Sequence, residues 1–418
     1  MLSPTPSTVR CATTAFIFVT VLLDMLAVGI MAPVLPKLII SFEGGDIRRA
    51  ATIAGVLGLA WAGMQFLFSP ILGVLSDRFG RRPIILLSNF GLGLDYVIMA
   101  LAPSLPWLFV GRVLSGVMAA SFSTASAYIA DVTPEEKRAG QIGLLGAAFG
   151  LGFILGPAIG GTLGELDLRL PFWVAAGLSL ANAAYGYFVL PESLSIEHRT
   201  KLSWRNATPA RSLKLLRSHP RLVGLAAVAF LCFLGHESLH ATFVLYTDYR
   251  YGWSESQVGF ALSMVGIGAM IVSGALIRPA VARWGEHQVI LVGLLFGVLG
   301  FVSYALAPTG ALFLAGTPLL ALWGLAGPAT QASMTRQVGP SEQGQLQGAL
   351  SSLRGIAGLL GPLVFTQIFA IGIGSRHAIP GAPYLLAAAL LVLAVIAVTW
   401  APKLAPQLSS LASRFRSS

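Results

Sequence analysis

Of 418 residues, 55% are hydrophobic and 11% charged, with a mean hydropathy of +0.78 and a net charge of +10. Soluble chains carry about 25% charged residues, so a water-soluble fold is excluded. Twelve bilayer crossings of ~20 residues take about 240 to 300 residues, which leaves short loops and one linker but no separate soluble domain.

In chain order, apolar stretches bounded by charge, Pro and Gly predict twelve transmembrane helices. They cover 12–36, 50–75, 83–103, 106–130, 139–164, 170–191, 221–247, 257–281, 288–307, 309–334, 346–371 and 382–401. The first run follows Arg10 and carries Asp24 with no clean small-residue cleavage site, so it reads as a retained span rather than a signal peptide. With the N-terminus inside, 19 of the 27 Lys and Arg fall in inner segments and six (Lys37, Arg48, Arg49, Arg169, Arg250, Arg376) in outer loops. The positive-inside rule then puts both termini in the cytoplasm. The basic stretch from Arg199 to Arg221 reads as a linker facing anionic headgroups rather than a nucleic-acid surface. Cys11 and Cys232 both lie in or beside apolar segments, which excludes a disulfide framework.

The chain repeats at an offset of about 205 residues. Arg78-Phe79-Gly80 returns as Arg283-Trp284-Gly285 and Gly156-Pro157 as Gly361-Pro362; Pro134, Glu136 and Gln141 match Pro340, Glu342 and Gln347. Three collinear matches predict an all-α membrane protein of two pseudo-symmetric six-helix bundles, 1–191 and 221–418, joined by a cytoplasmic linker at 192–220. In such two-repeat carriers the site lies at the repeat interface near the midplane.

Three segments carry the chemistry. The loop after span 2 runs from Gly73 through Asp77, Arg78, Gly80, Arg81 and Arg82. Gly73 is expected to let helices approach closely, Asp77 to face the positive N-terminal end of span 11, and Arg81 to reach Asp131 at the end of span 4. Contacts of that kind hold an inner gate shut. Span 4 opens with Gly111-Arg112. Span 5 is glycine-rich, and Gly152, Gly156 and Pro157 read both as close helix packing and as a hinge.

These segments, with Leu23-Asp24, Gly29, Pro33, Pro36, Asp95-Tyr96, Tyr128, Asp131 and the Gln343–Gly348 stretch, resemble the major facilitator superfamily. Within it they resemble the tetracycline-resistance branch of drug/proton antiporters, over nearly all of residues 15–400. The resemblance implies a proton-coupled secondary transporter of the bacterial inner membrane that exports a drug-like organic compound. It implies no enzyme activity and no cofactor beyond the proton gradient, and the chain is expected to act as a monomer. One position departs from the branch: its third intramembrane aspartate, in span 9, is replaced by Phe296. That departure keeps a metabolite exporter or importer on the same scaffold as the alternative.

The intramembrane charges point to mechanism, because a charge at mid-bilayer costs several kcal/mol. Only Asp24, Asp95 and Glu237 of the acidic residues lie well inside spans. Asp24 and Asp95 each sit 12 residues into their spans, roughly 18 Å from the inner surface, and Arg112 lies roughly 21 Å up. Those heights permit an Asp24–Arg112 contact, and the three residues are assigned to proton coupling.

In span 7, His236-Glu237-Ser238-Leu239-His240 matches H-E-x-x-H, whose two histidines share a helix face. No third ligand follows: Asp248, Glu255, Glu286 and Glu342 read as loop or boundary residues. A zinc metalloprotease is therefore the remote alternative, and no metal is expected. His236, Glu237, His240 and Arg354, with Gln65 and Tyr96, are assigned to the substrate cavity, and Glu237 is a candidate to replace the missing span-9 carboxylate.

Overall fold

The computed structural model describes residues 6–119, 121–199, 215, 220–339 and 342–416. Residues 200–214 and 216–219, with most of the basic linker, lie outside the described residues. Among those described, every regular element is helical. In chain order these are α1 (Pro6–Met31), α2 (Leu35–Phe42), α3 (Ile47–Phe79), α4 (Arg81–Leu101), α5 (Leu105–Met118), α6 (Ser121–Val132), α7 (Glu135–Leu166) and α8 (Leu170–Val189). The second half holds α9 (Pro220–Tyr251), α10 (Glu255–Ile271), α11 (Ile277–Leu306), α12 (Gly310–Ala315), α13 (Thr317–Trp323), α14 (Ala326–Thr335), α15 (Gln343–Gly374) and α16 (Ala382–Arg416).

Among the described residues, ten stretches are long and apolar enough to cross a membrane. One of them, Glu255–Leu306, turns at Gly285 (φ +75°, ψ 161°) and so holds spans 8 and 9. Span 4 is supplied by the shorter α5 and α6. The arrangement is consistent with twelve crossings.

Besides span 4, three expected helices depart from a continuous α-helix, those in spans 1 and 10 for a local reason. Span 1 breaks at Ala32–Val34 because Pro33 has no N–H to continue the ladder. Span 10 is three short helices rather than one. Pro318 lacks the N–H that Leu314 would accept, and Gly316 and Gly324 close the first two pieces. Span 8 contains a π-turn at Val272–Leu276, a form often found at functional sites.

The chain forms two compact units. The first comprises Met1–Asp46, Ala60–Thr208 and Trp253–Gly266; the second comprises Ile47–Leu59, Pro209–Gly252 and Ile267–Ser418. The first therefore includes most of α10, and the second includes the start of α3. In the first unit, Ile17, Val21, Ile129 and Leu145 belong to one buried cluster; in the second, Leu222, Ala226, Met334 and Leu350 belong to another. Each corresponding pair is 205 residues apart, so the repeat extends from sequence into the cores.

Candidate functional site

Asp24, on α1, is buried at 2% exposure. Two carboxamides reach it from other helices. Asn182 Nδ2 on α8 lies 3.3 Å from Asp24 Oδ1 and 3.0 Å from Thr20 O. Asn89 on α4, with its amide turned to satisfy the network, donates to Asp24 Oδ1 and Oδ2 at 3.1 and 3.2 Å and accepts from Asn182 Nδ2 at 3.1 Å. Neutral donors solvate the carboxylate here without cancelling its charge.

Asp95, also on α4, is fully buried in a different environment. Neither of its carboxylate oxygens meets a donor with hydrogen-bond geometry. Arg112 acts on it electrostatically and the Ser115 hydroxyl lies beside it, both on α5. Gly111 explains the fit, since a Cβ there would lie 2.8 Å from Asp95 Oδ1. The Arg112 guanidinium is itself buried, over the Trp61 ring at 5.1 Å and 4.0 Å from Met31 Sδ. Thus Arg112 acts on Asp95, while amides hold Asp24. Tyr96, assigned to the cavity lining, is instead 1% exposed and packed among Asp24, Asp95 and Arg112. Gln65 is half-buried on α3.

The α3–α4 corner is a polar knot. Arg81 Nε donates to Asp131 Oδ2 at 3.0 Å, its Nη1 donates to Ser76 Oγ at 3.1 Å, and it also pairs with Asp77. Ser193 Oγ donates to the same Asp131 oxygen at 3.1 Å. Gly80, at φ +110° and ψ 160°, occupies a region essentially reserved for glycine. The Glu192 carboxylate fills the space a Cβ would need there. From that position Glu192 accepts from the Arg81 and Arg82 N–H groups at 2.8 and 3.3 Å, capping the first turn of α4. Arg78 is exposed, with its guanidinium over Phe79. The close approach expected at Gly73 is absent: a Cβ there would have nothing within 4 Å. The tight contact is made at Gly80, where the backbone turns.

The α7 glycines fall on two stripes. Cβ atoms at Gly152 and Gly156 would come within 2.6 Å of Met25 and Gly29 on α1, and one at Gly160 would collide with Ile30 O. On the other stripe, Gly161 abuts Glu255 and the Pro157 carbonyl abuts Gly259 on α10. Ser263 Oγ donates to Ile154 O at 2.6 Å. Gly152 and Gly156 thus act as packing notches, and α7 runs unbroken through Pro157.

In the second unit, His236 and His240 stack edge-to-face with centroids 4.7 Å apart, and both are exposed. Trp323 packs on His236 at 5.6 Å. Glu237 lies across the notch at Gly361, and His240 and Arg354 both act on it electrostatically. The Arg354 guanidinium sits 4.7 Å over Phe233. Among the described residues no group of three or more His, Cys, Asp or Glu side chains is placed to hold a metal ion.

The sequence reading did not single out Asn89, Trp61, Glu192 or Ser115. Asn89 was within reach, as an amide in an apolar span six residues before Asp95. Glu192 was not, because its partners are backbone N–H groups 110 residues away.

The sequence model of the Major Facilitator Superfamily matches residues 17–362. The class C tetracycline resistance protein of Escherichia coli is 40% identical over 354 residues, 84% of this chain and 88% of that protein. The class B protein of Escherichia coli is 35% identical over 371 residues, 88% of this chain and 90% of that one. In three dimensions the nucleoside transporter NupG superposes with a TM-score of 0.75 over 94% of this chain and 99% of its own, at 14% identity. Buried intramembrane carboxylates, a duplicated helical core and a match spanning most of the chain lead to one assignment: this multi-pass membrane protein belongs to the major facilitator superfamily of transporters and is not an enzyme.

Proposed function

We propose that the chain exports a tetracycline-like organic compound in exchange for protons, as a monomer in the bacterial inner membrane with both termini cytoplasmic. The observation that carries this reading is Asp95, fully buried beside Arg112 with neither oxygen accepting a well-formed hydrogen bond. An ionised carboxylate in that state is expensive. A residue that takes up a proton on one side and releases it on the other meets that cost in only part of the cycle. Asp24, held by two amides, serves as the partner whose charge the site tolerates, and Arg112 exchanges its attraction between states. The relatives at 35–40% identity are named for tetracycline resistance, which supplies the substrate class.

In inside-out vesicles, an imposed acid-interior gradient should drive tetracycline uptake. Asp95→Asn should reduce uptake to that of vesicles without the protein while the variant still inserts. Wild-type uptake in Asp95→Asn would remove the coupling assignment. Phe296, half-buried where the tetracycline branch carries an aspartate, favours a second reading in which the substrate is a different organic compound. A resistance panel across unrelated compounds separates the two, since only the first predicts that tetracyclines head the spectrum.

A further inference from the structure

A groove of about 340 Å³ opens within the second unit, between the end of span 8 and span 10. Arg278, Val281 and Ala282 on α11 form one wall, and Pro328, Ala329 and Ala332 on α14 form the other. Small residues keep it open. The alanines reach out by a single carbon, and beside Pro328 the backbone of Gly327 has nothing within 4 Å of its absent Cβ.

Arg278 is the one charged residue of the lining. It is exposed, and among the described residues it makes no ion pair and no side-chain hydrogen bond. Its depth makes that costly. Arg278 stands seven residues before the turn at Gly285, about 10 Å along the helix. The polar zone of a bilayer is only about 5–7 Å deep on each side. The Cα of Arg278 therefore falls at the edge of the hydrocarbon, and its guanidinium reaches back towards the headgroups. Deeper in span 8 the exposed side chains are apolar: Ile267, Met270, Ile271 and Leu276 are 38–54% exposed. From Ile267 to Arg278 the helix rises about 16 Å, which matches the ~15 Å of one hydrocarbon leaflet.

We propose that this groove binds one anionic phospholipid, with its phosphate on Arg278 and an acyl chain between α11 and α14. Arginine meets phosphate with two parallel N–H donors. A zwitterionic headgroup brings its own ammonium, which competes for that phosphate, and the groove has no acid to receive it. The acid nearest in sequence, Glu286, is already paired with Arg336 at 2.9 Å. Basic pockets between transmembrane helices select anionic headgroups in this way. Neither the substrate nor the direction of transport enters the proposal.

The test titrates the purified protein in detergent with phosphatidylglycerol or phosphatidylethanolamine of identical chains, counting bound lipid by native mass spectrometry. The first phosphatidylglycerol should bind about five-fold tighter than phosphatidylethanolamine, and Arg278→Gln should bring the two to parity. Arg283→Gln removes an exposed arginine that does not line the groove, and should keep the preference. Ala332→Phe fills the groove and should weaken binding of both lipids. Inorganic phosphate at millimolar concentration should leave the lipid bound, because it has no chain for the groove to hold. Parity in the wild type overturns the proposal, as does a preference that survives Arg278→Gln. A preference lost equally in Arg283→Gln also overturns it, since general surface charge would then suffice. So does unchanged binding in Ala332→Phe, or displacement of the lipid by phosphate. Should Arg278→Gln fail to insert, Ala332→Phe and Arg283→Gln decide the site by the same titration.

Discussion

Asp24 and Asp95 are both buried within spans of the first half but differ in their surroundings. Asp24 has Asn89 and Asn182 as donors, whereas Asp95 has none with hydrogen-bond geometry. Asn89→Ala removes donors to a buried carboxylate and should cost about 1.5–3 kcal/mol, read as a lower melting temperature in detergent. Unchanged stability would show that Asn89 does not donate to Asp24. The two positive-φ glycines are separable in the same way. Both Gly80→Ala and Gly285→Ala incur about 1–3 kcal/mol of backbone strain. Only at Gly80 does the new methyl also meet the Glu192 carboxylate, while the space at Gly285 is open. Gly80→Ala should therefore melt at the lower temperature, and equal melting temperatures would contradict the Glu192 cap. The carboxylates were legible in the sequence because charge inside an apolar run stands out. Their amide partners were legible only as polar residues without an assigned face, since one sequence does not reveal which helices pack together.

At the scale of elements, α7 shows how a glycine pattern divides into function and tolerance. Gly152 and Gly156 face α1 within 3 Å, whereas Gly150 has nothing within 4 Å of its absent Cβ. Gly156→Val should overpack the α1–α7 contact and destabilise by about 1–3 kcal/mol. Gly150→Ala should be neutral or mildly stabilising, because alanine is the better helix former. Thermal melts of both variants in one detergent check this, and similar losses at both positions would mean the stripe does not set the packing. The positions of the spans followed from apolar length alone. The interruptions in spans 1 and 10 also had a signal in Pro33 and Pro318, but hydropathy averaged across them. The π-turn in span 8 had none, because no residue type marks an extra residue in a helical turn. Likewise Gly73 and Gly80 looked equivalent in sequence. The positive φ that only Gly80 adopts depends on where the chain turns, and on a carboxylate that arrives from 112 residues further on.

For the whole molecule, duplication governs packing and leaves the chemistry unequal. The buried cores repeat at 205 residues, as do Gly80 with Gly285 and Tyr96 with Phe301. The intramembrane charges do not repeat. The positions matching Asp24, Asp95 and Arg112 are Ala229, Gly300 and Thr317, and those matching Glu237 and Arg354 are Ala32 and Phe149. A carrier built this way holds its carboxyl pair in one half and its His, Glu and Arg cluster in the other. Substitutions in the first set should change the dependence of transport on the gradient. Substitutions at His236 or Arg354 should instead change the half-saturating concentration and the compound preference, which a kinetic comparison of Asp24→Asn with Arg354→Gln would separate.

The central claim is that Asp95 carries the proton exchanged for substrate. Adding tetracycline to purified protein in weakly buffered detergent and recording the pH measures this directly. The wild type should release protons as substrate binds, with saturation at the protein concentration, and Asp95→Asn should bind without release. Equal release from Asp95→Asn and wild type would place the exchanged proton elsewhere and contradict the account.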